Sequence, residues 1–219
     1  YEMSASLVGS EMCIRDSVEA GNNTYDNAVI ENSKISEKNK IQNNQSMLDD
    51  IMNSTQYPKQ LKDLALKNEE ALEFVYDYPA EHVKEHTIDL TEEASMDSVP
   101  LFVQWDKRWG YEKYSGNFFA ASGCGPTTLS MVVVYLTHNR EASPIAVAKY
   151  SKEAGYSVDG SGSSWTLISE GCRHYGVKAK AVALDESRMK AELDEGHPIV
   201  VNVGPVSYTH LTLPTTSRV

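Results

Sequence analysis

The strongest hydrophobic signal lies between Leu129 and Leu136, where Leu129, Met131, Val132, Val133, Val134 and Leu136 leave no polar face. A helix that is apolar all round belongs inside a core, so residues 122–136 are predicted to form a central, buried helix. Amphipathic helices are predicted on either side. "SPIAVAKYSKEAG" begins at Ser143, a residue type suited to an N-cap, and ends near Gly155. "WTLISEGCRHY" can be opened by Ser163 or Ser164 and closed by Gly176. After it come a strand in "VKAKAVAL", a helix in "DESRMKAELDEG" and a strand in "PIVVNVG". Upstream, Pro58 can open a helix with Leu61, Leu64 and Ala65 on one stripe. Asn68 can cap a second helix carrying Ala71, Leu72 and Val75, which Pro79 stops. Helices first and strands afterwards predict an α+β fold.

The same pattern divides the chain. Residues 18–57 are rich in Asn, Ser, Lys and Glu and show no sustained apolar period, so a polar disordered linker is expected there. Residues 58–98 read as a small helical accessory segment and residues 99–205 as the main domain. The two ends read differently. "MCIRDS" can be encoded by a string whose reverse complement translates as "VSYTH", the sequence from Val206 to His210. Residues 1–17 and 206–219 are therefore expected to be translated sequencing-adapter artefact, set aside like any fusion scar. On that expectation the natural protein is cut short at both ends.

Composition narrows the function. A net charge of −11 argues against nucleic acid as a partner, since phosphates call for a basic face. With Cys13 set aside, only Cys124 and Cys172 remain, too few for a disulfide framework. There is no CxxC pair, no HExxH and no His/Asp cluster of ligand spacing, so no metal and no cofactor is expected. The "GSG" of "DGSGSS" is too short to cradle a phosphate.

Candidate chemistry centres on "SGCGPTTLS". Cys124 stands at the head of the predicted buried helix, where unpaired N–H groups and aligned peptide dipoles favour a thiolate. Gly123 and Gly125 permit close approach of a substrate, and Pro126 suits a first helical turn. The Cys124 N–H can serve as one oxyanion donor, and the side-chain amide of Gln104 stands upstream in the right order for a second. The residues alone leave two readings open: a nucleophile, or a small buried hydrophobe at a helix start.

"QWDKRWGYEKY" followed by "SGCGPTTLSMV", then "GSSWTLISEGCRHYGVKAKAV" and "LDEGHPIVVNVGP", resembles the C39-like family of papain-type bacterial cysteine peptidases. The resemblance implies a papain-like fold in which the cysteine-headed helix packs on an antiparallel sheet. It implies Cys124 as nucleophile and Gln104 as oxyanion glutamine. Trp165 falls in a segment characteristic of these relatives and is assigned to packing or to the cleft wall, as a candidate substrate contact. Cys172 is expected to face the core.

The resemblance also places the catalytic histidine after the "VNVGP" segment, with an Asp or Asn later. Among the histidines, His82 and His86 precede the domain and His138 lies at the far end of the Cys124 helix. His174 is expected to satisfy helix-end carbonyls, and His197 to be a turn residue. His210 falls in the adapter-like stretch. Cys124's general base is therefore expected to be missing from the chain. The expected parent is a monomeric, extracellular or surface-held peptidase acting on a peptide or protein substrate, with a membrane or cell-wall tether beyond the N-terminus. The alternatives are a cell-wall peptide hydrolase or acyltransferase using the same Cys-His chemistry, and a non-catalytic peptide-binding module.

Overall fold

The structure, a computed structural model, describes residues 2–8 and 26–203, with side chains over residues 38–202. Strand β1 (Glu2–Val8) is followed by helices α1 (Asp26–Asn53), α2 (Lys59–Lys67), α3 (Leu72–Tyr76) and α4 (Tyr78–Glu81). The hairpin of β2 (Lys113–Tyr114) and β3 (Asn117–Phe118) leads into α5 (Phe119–Ser122), α6 (Cys124–Thr137) and α7 (Pro144–Glu153). A second hairpin, β4 (Ser157–Val158) and β5 (Gly162–Ser163), precedes α8 (Thr166–Ser169), β6 (Lys178–Ala181), α9 (Glu186–Asp194) and β7 (Ile199–Val203). Helices with small sheets make this an α+β chain.

Helix α6 carries the main core. Leu129, Val133 and Val134 are fully buried, joined by Trp109, Phe119, Val147, Leu167 and Cys172. Each such side chain contributes roughly 1.5–3 kcal/mol of burial. Helix α7 lies against α6, its Ser143 Oγ accepting from the Ala146 N–H at 3.3 Å. Ser130, though polar, is buried because its hydroxyl donates to the Ala142 carbonyl. Asp185 caps α9 by accepting from the Arg188 N–H at 3.0 Å.

Two expectations need correction. The first is the disordered linker over residues 18–57: residues 26–53 of it form α1, a helix of 28 residues. Its sequence is weakly amphipathic, but Met47 and Ile51, one turn apart, anchor its C-terminal end in a second core with Leu61, Leu64, Leu72, Phe74 and Val75. Met47 and Ile51 hold the end of a helix whose described exposed face is mostly polar, Ile41 and Met52 apart. That second core also takes in Phe118 and Ala120, so residues 58–98 share their interior with the main domain.

The second concerns the sheet. The largest has three strands in the order β6-β1-β7, and β1 runs parallel to both neighbours. The antiparallel pairs are the two short hairpins. Helix α6 packs on α7, α8 and β5 instead of on a broad sheet face. The cause is visible in β6, where Lys178, Lys180 and Ala181 are exposed and only Ala179 turns inward, too little apolar area for a large helix to cover. The central strand β1 falls within residues 1–17, the stretch read as adapter-encoded. Main-chain hydrogen bonding does not depend on the origin of the codons, and the facing edges of β6 and β7 accept any extended segment. Residues 1, 9–17 and 206–219, the rest of the adapter-like ends, lie outside the described residues.

Candidate active site

The turn before α6 is built by glycine. A Cβ on Gly123 would sit 2.5 Å from the Phe119 ring, and one on Gly125 would sit 2.9 Å from Ser163 Oγ. Only hydrogen at both positions lets Phe119 fill the core while the β4–β5 hairpin closes on the helix end. Gly162 packs as tightly: it has φ +85°, and a Cβ there would meet the Ser122 carbonyl oxygen at 2.9 Å. Between the two glycines Cys124 is the first residue of α6 and is exposed, and its thiol is free. The first-turn N–H groups of a helix have no carbonyl partner within it.

Gln104 reaches this turn from a rigid loop. The Asp106 carbonyl accepts from the N–H groups of Trp109 at 3.1 Å and Gly110 at 2.7 Å. Trp109 Nε1 donates to the Val103 carbonyl at 2.9 Å. Arg108 lies 4.5 Å over the Trp109 ring and pairs with Asp106 and Glu93. From that loop Gln104 Nε2 donates to the Ala120 carbonyl at 2.7 Å, four residues before Cys124. Trp165 is half-buried against the main core, at the start of α8.

A hydroxyl network absent from the sequence reading ties the surrounding loops. The Tyr114 hydroxyl bridges Ser151 at 2.7 Å and Ser163 at 2.6 Å. Ser122 Oγ donates to the carbonyls of Tyr114 at 2.8 Å and Phe118 at 3.0 Å. Three serines and a tyrosine scattered over four elements carry no local signal. The buried hydroxyl of Thr127, three residues after Cys124, has no partner among the described residues.

Five histidines are described, and each is engaged elsewhere. His82 Nδ1 contacts the Tyr78 carbonyl at 2.5 Å, and His86 lies 3.5 Å from Glu81. His138 ends α6 in the left-handed region, φ +54°, and contacts the Ala94 carbonyl at 2.7 Å. His174 stacks on Tyr150 at 4.0 Å, where helix-end carbonyls were expected as its partners. His197 contacts Glu192 at 2.9 Å. His210 lies outside the described residues. Cys172 is fully buried, and burial pushes its thiol pKa up.

Sequence spacing gave no metal-ligand cluster, but among the described residues folding makes one group of that type. Ligand atoms of Glu192, Glu195 and His197 lie within 4.8 Å of one another. The Gly196 turn, φ +82°, brings His197 back onto the last turn of α9. Lys180 Nζ sits 2.8 Å from the same Glu192 carboxylate, so the group holds itself together by ion pairing.

Cys124 thus stands exposed at the head of a buried helix, with the Gln104 amide held on the carbonyl four residues before it. The chain matches the Peptidase_C39 like family over residues 96–217, more than half of its length, and belongs to that family. At family level its function is of the cysteine-peptidase type. The matched span starts three residues before the expected boundary at Val99 and runs through the adapter-like residues 206–217. No curated protein matches the chain, and no solved structure matches it.

Proposed function

We propose that Cys124 is the nucleophile of a papain-like cysteine peptidase that cleaves peptide or protein substrates. The thiolate attacks the scissile carbonyl. The N–H groups at the head of α6, with the second N–H of the Gln104 amide, hold the oxyanion, and the leaving amine takes its proton from an imidazole that none of the five described histidines supplies. The observation that carries this reading is the pairing of an exposed Cys124 with a Gln104 amide anchored one helical turn behind it. Trp165 takes its place beside the cleft as a packing residue. The protein is read as a monomer acting outside the cell or at its surface. No described helix is long and apolar enough to cross a membrane.

The test uses an activated ester, because a p-nitrophenolate leaving group needs no proton and the thiolate alone can be acylated. The full chain is expected to form a mass-detected acyl adduct on Cys124, lost in Cys124→Ser, with Cys172 unmodified. Acylation no faster than that of a free cysteine peptide would overturn the nucleophile. A second reading, peptide binding without turnover, is favoured by one observation: all five described histidines are engaged away from Cys124. Under that reading peptides bind and the adduct does not form.

A further inference from the structure

The β2–β3 and β4–β5 hairpins face each other across a cavity of about 530 Å³. Its walls are fixed by Ser115, whose carbonyl accepts from the Gly160 N–H at 2.9 Å and whose hydroxyl accepts from the Gly162 N–H at 3.1 Å. The Ser115 hydroxyl also contacts the Val158 carbonyl. Ser115 and Gly116 both have positive φ, +52° and +76°, as a tight two-residue hairpin turn requires.

Two cations line this cavity, Lys113 from β2 and Lys152 from the last turn of α7. Neither is ion-paired among the described residues, whereas Lys84, Lys107, Arg108 and Lys180 are. Lys113 Nζ lies 3.2 Å from the centre of the Phe118 ring, and partial desolvation lowers its pKa. One carboxylate, Asp159, shares the lining, which leaves an excess of positive charge in a chain of net charge −11. The same hairpins brace the nucleophile. Tyr114 accepts from Ser122, two residues before Cys124, and Ser163 presses on Gly125, one residue after it. Two residues of chain span at most about 7 Å.

We propose that this cavity is a subsite for an acidic side chain, Asp or Glu, of a peptide bound at Cys124. The assignment deepens the peptidase reading and rests on it. A carboxylate entering between Lys113 and Lys152 supplies the missing counter-charge, and Ser157 in the same wall offers a hydroxyl donor.

The test is a binding titration of the full chain carrying Cys124→Ser, with acetylated, C-terminally amidated peptides that differ only as Glu or Gln. The Glu peptide is expected to bind about five- to tenfold more tightly, an advantage that shrinks in high salt. Lys113→Gln with Lys152→Gln should erase the preference, and Lys113→Arg with Lys152→Arg should retain it. Equal binding of the two peptides, or a preference that survives the double Gln variant, overturns the subsite. So does tighter binding of a neutral peptide with a free C-terminal carboxylate than of the amidated Glu peptide. With Cys124 intact, saturating Glu peptide should slow iodoacetamide alkylation of that thiol. Unslowed alkylation with a retained Glu preference would leave an anion site and overturn its place on the substrate path. A retained Glu preference without an acyl adduct from the activated ester would instead sink the peptidase reading alone.

Discussion

Gln104 donates its side-chain amide to the carbonyl of Ala120 at 2.7 Å, four residues ahead of Cys124. A helix running unbroken through Gly123 would offer that carbonyl to the Cys124 N–H. Engaging it from the side favours an outward-facing Cys124 N–H and keeps the second N–H of the amide beside it. Under the proposed function, Gln104→Ala should slow acylation of Cys124 by an activated ester about a hundredfold or more. Iodoacetamide alkylation, which builds no oxyanion, should change little. Equal slowing of both reactions would show a general disturbance of the turn.

The glycines of the turn are expected to be intolerant. Gly162→Ala sets a Cβ 2.9 Å from backbone oxygen at φ +85°, with no flexible side chain to give way. Gly123→Ala meets the Phe119 ring, buried in the core. Each should cost about 1–3 kcal/mol in urea unfolding. Gly155→Ala has open space but φ +79°, so it is expected to cost only backbone strain and to rank below Gly162→Ala.

Thr127 is expected to respond in the opposite direction. Its hydroxyl is buried without a partner. Thr127→Val exchanges it for a methyl group of similar shape and should raise stability by up to about 1–3 kcal/mol. Loss of stability in the same urea titration would mean that the hydroxyl is satisfied.

Ile51 is fully buried near the C-terminal end of α1. Ile51→Ala should cost about 2–5 kcal/mol. In hydrogen exchange, amides of the C-terminal turns of α1 should lose protection first, before those of α6.

Stability should fall at alkaline pH. Burial raises the Cys172 thiol pKa in the folded state, and the free thiol ionises near 8.5. Above about pH 8.5 the unfolded chain therefore binds fewer protons than the folded one, and unfolding becomes easier as pH rises. Tyr175, pushed up to about 12 by burial, extends the decline above its ordinary value of 10.0. Thermal midpoints from pH 8 to 11 should slope downward. Cys172→Ala should flatten the first part of that slope, whatever it does to the absolute midpoint.

The elements legible in the sequence were those whose signal is local. The unbroken apolar run of α6, the Ser143 cap and the Gly176 turn are each specified by a few adjacent residues. Helix α1 was not legible, because its support comes from Met47 and Ile51 meeting a core built by later residues. The sheet order was not legible either, since β1 and β7 are joined by pairing across almost the whole chain, Ser4 with Ile199. In the candidate site, Cys124 and Gln104 could be named from the motif, but not the carbonyl that Gln104 grips. The Tyr114–Ser163 and Tyr114–Ser151 bonds span 49 and 37 residues, and no spacing rule reaches that far.

Residues 117–122 divide their side chains between two interiors, Phe119 facing one and Phe118 and Ala120 the other. A clone begun at Val99 would keep the family motif yet strip the cover from Phe118, Trp105 and Tyr111. Its product should precipitate during purification, whereas the full chain, which keeps β1 and the helices from Asp26 to Glu81, should stay in solution.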